Sequence, residues 1–219
     1  MSKQDVQGFD ISTKSAAVIG CGGLGSNICV HLAGAGIGRL YVCDFDTVNK
    51  SNLNRQFIYR QSDIGKAKAE AAKAFICAYA PDTKVIAVNT QIKTSEDLKF
   101  AESCDIIILA VDNIKARSVA EDFCKSSYIP LVSGGINGFF GNCYLFIPGK
   151  TPTLEDAGLL AADCVRGNIS SSAGVIGALS CELAEKYLTG DYSCAGRLYV
   201  YDNCEIQSLE IKASLKEET

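Results

Sequence analysis

Short apolar runs recur along the chain, each closed by glycine, proline or a polar residue and most followed by a stretch of helical spacing. Ala16-Ala-Val-Ile-Gly20 reads as a buried strand that runs into Cys21-Gly-Gly-Leu-Gly-Ser26 and then a small-residue helix reaching about Ala35. Arg39-Leu-Tyr-Val-Cys43 reads as a second strand, closed by Asp44. Residues 47–61 are polar, and residues 65–79 have the alanine-rich pattern of a helix that Pro81 stops. Residues 84–89 form a third strand, and residues 95–102 a short helix with Ser95 as N-cap. The continuously apolar residues 106–111 suit a strand of a parallel sheet covered on both faces. A helix over residues 114–126, a strand over 130–133 and a sixth strand over 141–147, turning back antiparallel, continue the alternation.

The apolar period then breaks. Residues 148–170 mix Pro, Thr, Gly and acids and predict a long crossover loop. A helix over 172–188 follows, then a hairpin of residues 197–201 and 205–211 across Asp202-Asn-Cys204, and a charged, mobile tail over 213–219. This order predicts an α/β fold, a doubly wound Rossmann-like and mainly parallel sheet with a C-terminal antiparallel extension. The 219 residues fit a single domain, 1–219.

Composition narrows the classes. With 47% hydrophobic and 21% charged residues the chain is an ordinary globular protein. A net charge of −4 argues against a nucleic-acid partner, whose phosphates call for a cationic surface. Eleven cysteines are an odd number, and MSKQDVQGFD lacks a basic-then-apolar leader, so free thiols and a cytoplasmic location are expected. No two cysteines stand at Cys-x2-Cys spacing, so no structural zinc is expected. Asp105-Ile-Ile-Ile-Leu-Ala-Val111 is only strand length, so no membrane segment is expected either.

Gly20, Gly22, Gly23 and Gly25 satisfy G-x-G-x-x-G directly after a strand and at the start of a helix. Glycines let the backbone approach a phosphate, and the helix N-terminus supplies free N–H groups and a positive dipole end. Asp44 ends the next strand, where a carboxylate can accept hydrogen bonds from a ribose. These features predict a nucleotide without choosing between NAD, FAD and ATP. The segment from Asp44 to Gln56, with Gly65-Lys-Ala-Lys68, adds what a dinucleotide oxidoreductase does not need: Arg55 as a planar phosphate clamp and Lys68 as a point charge. Asn52 and Gln56 offer neutral donors and acceptors, and Lys66 rivals Lys68 for the cationic role. Asp112, just past a buried strand, suits magnesium shared with phosphates, or an N-cap for the next helix.

Together these motifs resemble the ThiF/MoeB/HesA family of ubiquitin-activating-like adenylyltransferases, whose signature joins G-x-G-G-L-G-S to D-x-D-x-V-x-x-S-N-L-x-R-Q. The likeness continues through Val111-Asp-Asn113, Pro130-Leu-Val-Ser-Gly134, Cys164 and Gly174-Val-Ile-Gly177. It implies that Asp44 binds the ribose, that Asn52, Arg55, Gln56 and Lys68 hold the triphosphate, and that Asp112 serves magnesium. It also places Ser51, Asn113 and the four glycines at the nucleotide. The implied reaction is ATP-dependent adenylation of the C-terminal carboxylate of a small ubiquitin-like sulfur carrier ending in Gly-Gly, ThiS- or MoaD-like, by a homodimer.

Two features depart from the family pattern. No arginine precedes Arg39, where relatives carry an N-terminal arginine that reaches the partner's site; the alternatives are a cation from Lys3 or Lys14, a residue from another protein, or weak activity. The two zinc-binding Cys-x2-Cys pairs are missing, so packing must hold the crossover. Cys164 matches a cysteine that in ThiF-like relatives forms a covalent link with the carrier, and His31, in the apolar first helix, reads as a packing residue. Alternative functions are a tRNA threonylcarbamoyladenosine dehydratase-like enzyme, an NAD- or FAD-binding oxidoreductase, and a non-catalytic partner subunit.

Overall fold

A computed structural model describes residues 9–160, 167 and 169–213. Eight strands form one sheet: β1 (Ser15–Ile19), β2 (Arg39–Cys43), β3 (Lys84–Val88), β4 (Ile106–Leu109), β5 (Leu131–Asn137), β6 (Phe140–Phe146), β7 (Arg197–Asp202) and β8 (Glu205–Glu210). Their order is β3-β2-β1-β4-β5-β6-β7-β8. The first five run parallel, and β6, β7 and β8 add on antiparallel, as expected. The chain reverses direction in the sheet between β2 and β4, on either side of β1, which opens a crevice at the carboxyl ends of the strands.

Helices α1 (Gly23–Gly34), α2 (Lys68–Tyr79) and α4 (Ser170–Leu188) cover one face, and α3 (Ile114–Ser127) covers the other. The unbroken apolar runs follow from this double cover. Ala16, Val18, Ile106 and Ile108 enter the core beneath α1, α2 and α4. Ala17, Ile19, Ile107 and Leu109, one residue out of phase, enter the core beneath α3. No described helix is long and apolar enough to cross a membrane.

Several boundaries differ from the sequence expectation. Helix α2 starts at Lys68 rather than Gly65, because the Gly65 N–H bonds to the Val48 carbonyl and Thr47 bridges Ala67. Residues Ser95–Ala101 form a 3-10 helix with Thr94, not Ser95, at its cap; the Asp97 carboxylate accepts the Lys93 and Thr94 N–H groups. Strand β5 runs four residues past Ser133 because antiparallel pairing with β6 supplies partners out to Asn137. The crossover is packed over its described first half: Leu154 is fully buried and the Tyr144 hydroxyl donates to the Pro152 carbonyl. His31 is exposed in the last turn of α1, so the expected packing role is corrected; it faces outward because Ile28 and Leu32 take the core positions beside it. Residues 1–8, 161–166, 168 and 214–219 lie outside the described residues, so Lys3, Cys164 and most of the expected tail are not placed.

Candidate functional site

A cleft of about 510 Å³ opens at the carboxyl ends of β1, β2, β4 and β5. Its floor is the glycine turn. Gly20 sits at φ +93°, a conformation L side chains rarely adopt, and a Cβ there would come within 2.7 Å of the Ala110 carbonyl oxygen. Gly22 and Gly23 line the cleft, whereas Gly25 packs beneath it. Helix α1 begins at Gly23 with no side-chain cap, which leaves its first-turn amides without side-chain acceptors at the cleft wall. The Tyr59 hydroxyl donates to the Cys21 carbonyl at 2.9 Å and the Asp44 carboxylate accepts the Cys21 N–H, so the turn is held from two sides.

Arg55, Gln56 and Asn52 reach the cleft from the segment after β2. The Arg55 stem lies 3.4 Å from where a Cβ on Gly23 would stand, and its Nη1 donates to the Ser51 carbonyl and Asn54 Oδ1. Gln56 is 2% exposed. Gln56 Oε1 and Arg55 Nε are buried with no hydrogen-bond partner among the described residues. Asn52 Oδ1 accepts the Asn49 N–H, which shapes the turn. Ser51 is exposed and is not part of the cleft lining; only its carbonyl contributes, through Arg55.

The two lysines stand in different surroundings. Lys68 is 6% exposed, lines the cleft and donates from Nζ to Asp46 Oδ2 at 2.9 Å. A cation buried at the first residue of a helix opposes the helix dipole and loses hydration, a cost that the pair with Asp46 offsets. Lys66 instead pairs with Asp63 at 2.9 Å on an exposed turn away from the cleft. That pairing holds the Asp63 carboxyl below its usual range. Lys14 stands at the amino end of β1, on the far edge of the sheet, and lies 3.9 Å from Asp105.

Asp112 and Asn113 line the other side of the cleft, between β4 and α3. Asn113, not Asp112, caps α3: its Oδ1 accepts the N–H groups of Lys115 and Ala116. The capping alternative for Asp112 is thereby corrected, and its exposed carboxylate makes no hydrogen bond or ion pair with the described residues. The cysteines nearest the glycine turn are poor nucleophiles. The Cys21 thiol is pushed up by its hydrogen bond with Cys29 and by burial, and burial pushes the Cys43 thiol up to about 12.

Sequence reading missed Arg117. It lies on α3, is 9% exposed, lines the cleft and bonds to Ser133, Val111 and Gly134. The available signal was its position one helical turn past Asn113. Phe45, 53% exposed at the lip, was likewise passed over.

Three comparisons complete the picture. The profile of the ThiF family matches residues 5–219. The SAMP-activating enzyme E1 of Haloferax volcanii is 32% identical over 203 residues, 90% of this chain and 75% of that protein. Adenylyltransferase and sulfurtransferase MOCS3 of Aedes aegypti is 31% identical over 217 residues, 92% of this chain but only 48% of that protein. In fold, a crystal structure of E. coli MccB with ATP superposes with a TM-score of 0.84 at 21% identity, over 94% of this chain and 66% of that one.

Proposed function

The chain belongs to the ThiF family of E1-like adenylyltransferases, and from that membership we propose that it uses ATP to activate the C-terminal carboxylate of a small ubiquitin-like protein. The carboxylate attacks the α-phosphate, the bond to the β-phosphate bridge breaks, and pyrophosphate leaves with an acyl-adenylate as the other product. The observation that carries this reading is the convergence of Arg55 and buried Lys68 on the glycine turn. Charge accumulates on the leaving pyrophosphate, and fixed cations in a partly dry cleft stabilise it. An NAD- or FAD-binding oxidoreductase leaves both cations without a task.

The residues present fit the nucleotide and its metal. Gly22 and Gly23 leave room for phosphates, Arg55 Nε has an N–H to donate, and Gln56 Oε1 can accept a hydrogen bond. Asp112 offers one free carboxylate, which suits magnesium taking its remaining ligands from phosphates and water. Bound there, magnesium would neutralise phosphate charge. Asp44 would receive the ribose hydroxyls at the end of β2, at the opposite end of the same cleft from Asp112. No general base is required, because the carrier carboxylate is already ionised at neutral pH.

The finer reading is that the substrate is a sulfur carrier ending in Gly-Gly, of the thiamine or molybdopterin type, and that the protein acts as a homodimer. The likeness to relatives named for SAMP activation and for adenylyl and sulfur transfer supports the sulfur-carrier substrate. Cys164 would serve only the later sulfur step, since phosphoanhydride exchange uses no thiol. The test is ATP–pyrophosphate exchange with purified candidate carriers, beside calorimetric titration with ATP and NAD. Carrier-dependent exchange is the expected result, and tight NAD binding with no ATP binding would refute the assignment.

A further inference from the structure

We propose that Arg117 is a positioning residue of the nucleotide site, one that holds the Asp112 loop against the glycine end of β5; this rests on the reading of Asp112 as the residue serving magnesium. The backbone ladder between β4 and β5 stops at Leu109 and Ser133. Beyond it, the segment carrying Asp112 and the segment Gly134–Gly135 both line the cleft with no β4–β5 ladder pair between them. Arg117 spans that gap. Its Nη2 donates to the Val111 carbonyl at 2.8 Å and to the Gly134 carbonyl at 2.9 Å, and its Nη1 donates to Ser133 Oγ at 2.7 Å.

A buried guanidinium is costly to desolvate unless its donors are met, so this fork is fixed in place by the same acceptors it fixes. Val111 is bonded directly to Asp112, so the direction of the Asp112 carboxylate depends on the Val111 carbonyl being held. The glycine at 135 leaves the space this requires: a Cβ there would stand 3.3 Å from Arg117 Nη2 and 3.2 Å from Asn142 Oδ1. The same stripe of α3 continues the task. Asn113, one turn before, caps the helix, and Glu121, one turn after, accepts the Leu154 N–H at 2.8 Å, which ties down the crossover whose Leu159 reaches the cleft. Lysine at 117 would keep the charge but not the fork, and would hold at most part of this set.

Calorimetric titration of ATP into wild type, Arg117→Lys, Ser133→Ala and Asp112→Asn, each in magnesium chloride and in EDTA, tests the proposal, with the thermal midpoint recorded for every variant. The magnesium-dependent gain in ATP affinity should vanish in Asp112→Asn and shrink about tenfold in Arg117→Lys, the usual effect of losing a group that orients a metal ligand. Affinity in EDTA, measured for the same variant, is the baseline from which its magnesium-dependent gain is taken. Ser133→Ala, which leaves the bonds to Val111 and Gly134, should keep most of the gain. A folded Arg117→Lys with a lower midpoint but the full wild-type gain would show a merely structural arginine and overturn the proposal. Arg117→Gln gives the same readout if the lysine variant does not fold. A gain that survives Asp112→Asn refutes the magnesium reading, and absence of ATP binding by wild type refutes the nucleotide site; either removes the proposal with its premise.

Discussion

The main-chain N–H of Cys21 donates to Asp44 Oδ2 at 2.7 Å, fastening the glycine turn to the end of β2 across 23 residues of sequence. The other oxygen, Oδ1, takes the Asp46 N–H at 2.8 Å. Asp44 is therefore part of the scaffold before any ribose arrives. Asp44→Ala should lower stability by about 1–3 kcal/mol, the cost of leaving buried donors unmet, as well as weaken ATP binding. Urea denaturation beside nucleotide titration checks both, and a loss of binding with unchanged stability would contradict the scaffold role.

Lys68→Ala and Arg55→Ala should each remove about 2–4 kcal/mol of transition-state stabilisation in pyrophosphate exchange, as losses of preorganised charge do elsewhere. Lys66→Ala, which removes only an exposed pair with Asp63, should change stability by no more than about 0.5 kcal/mol and leave exchange intact. The reverse ranking of the two lysines would show that the wrong helix position had been assigned to the cleft.

Gly25→Ala should disrupt folding rather than binding. The added Cβ would stand 1.8 Å from the Gly20 carbonyl oxygen, closer than any non-bonded approach allows, so the turn or α1 must move. A cost above about 3 kcal/mol is expected, seen as loss of a cooperative thermal transition. Gly174→Ala, on α4 where no atom of the described residues lies within 4 Å of the new Cβ, is the control and should be tolerated.

Among the ten described cysteines, Cys77 and Cys204 are exposed and the rest are buried. Burial pushes the Cys43, Cys104 and Cys143 thiols up to about 12, so they hold their protons at pH 8 and are shielded as well. Of the ten described cysteines, Cys77 and Cys204 should be labelled first when native protein is treated with iodoacetamide at pH 8, with the buried thiols reacting only after urea is added. Peptide mapping reads the order.

Burial is the main cause raising the Glu185 carboxyl above its ordinary range, outweighing the hydrogen bond from the Cys181 thiol. A carboxyl that is harder to ionise in the folded state than in the unfolded state favours folding while protonated. That contribution is present below the unfolded value and is lost as pH rises through the folded one. Glu185→Gln should therefore raise the thermal midpoint at pH 7 to 8, with the advantage disappearing as pH falls below the carboxylate range. A midpoint lowered at pH 8 would reverse the sign and refute the argument.

The alternation of strand and helix, the glycine turn and the cationic segment after β2 were legible in the sequence because each is set by neighbours in the chain. Residues 16–19 and 106–109 advertise burial on both faces, and Gly20 to Gly25 advertise a turn that only glycines can make. The later limit of β5 was not legible, since pairing with β6 decides it. Nor could local pattern separate Lys68 from Lys66, two residues apart, or Asp112 from Asn113 as the cap: burial beside Asp46 and the direction of one side chain settle these. Arg117 looked like one more charge on a helix, because the carbonyls of Val111, just past β4, and Gly134, in β5, that occupy it lie 23 residues apart. Local propensity and period are written in consecutive residues, whereas the partner of a buried charge is fixed only when distant strands close on it.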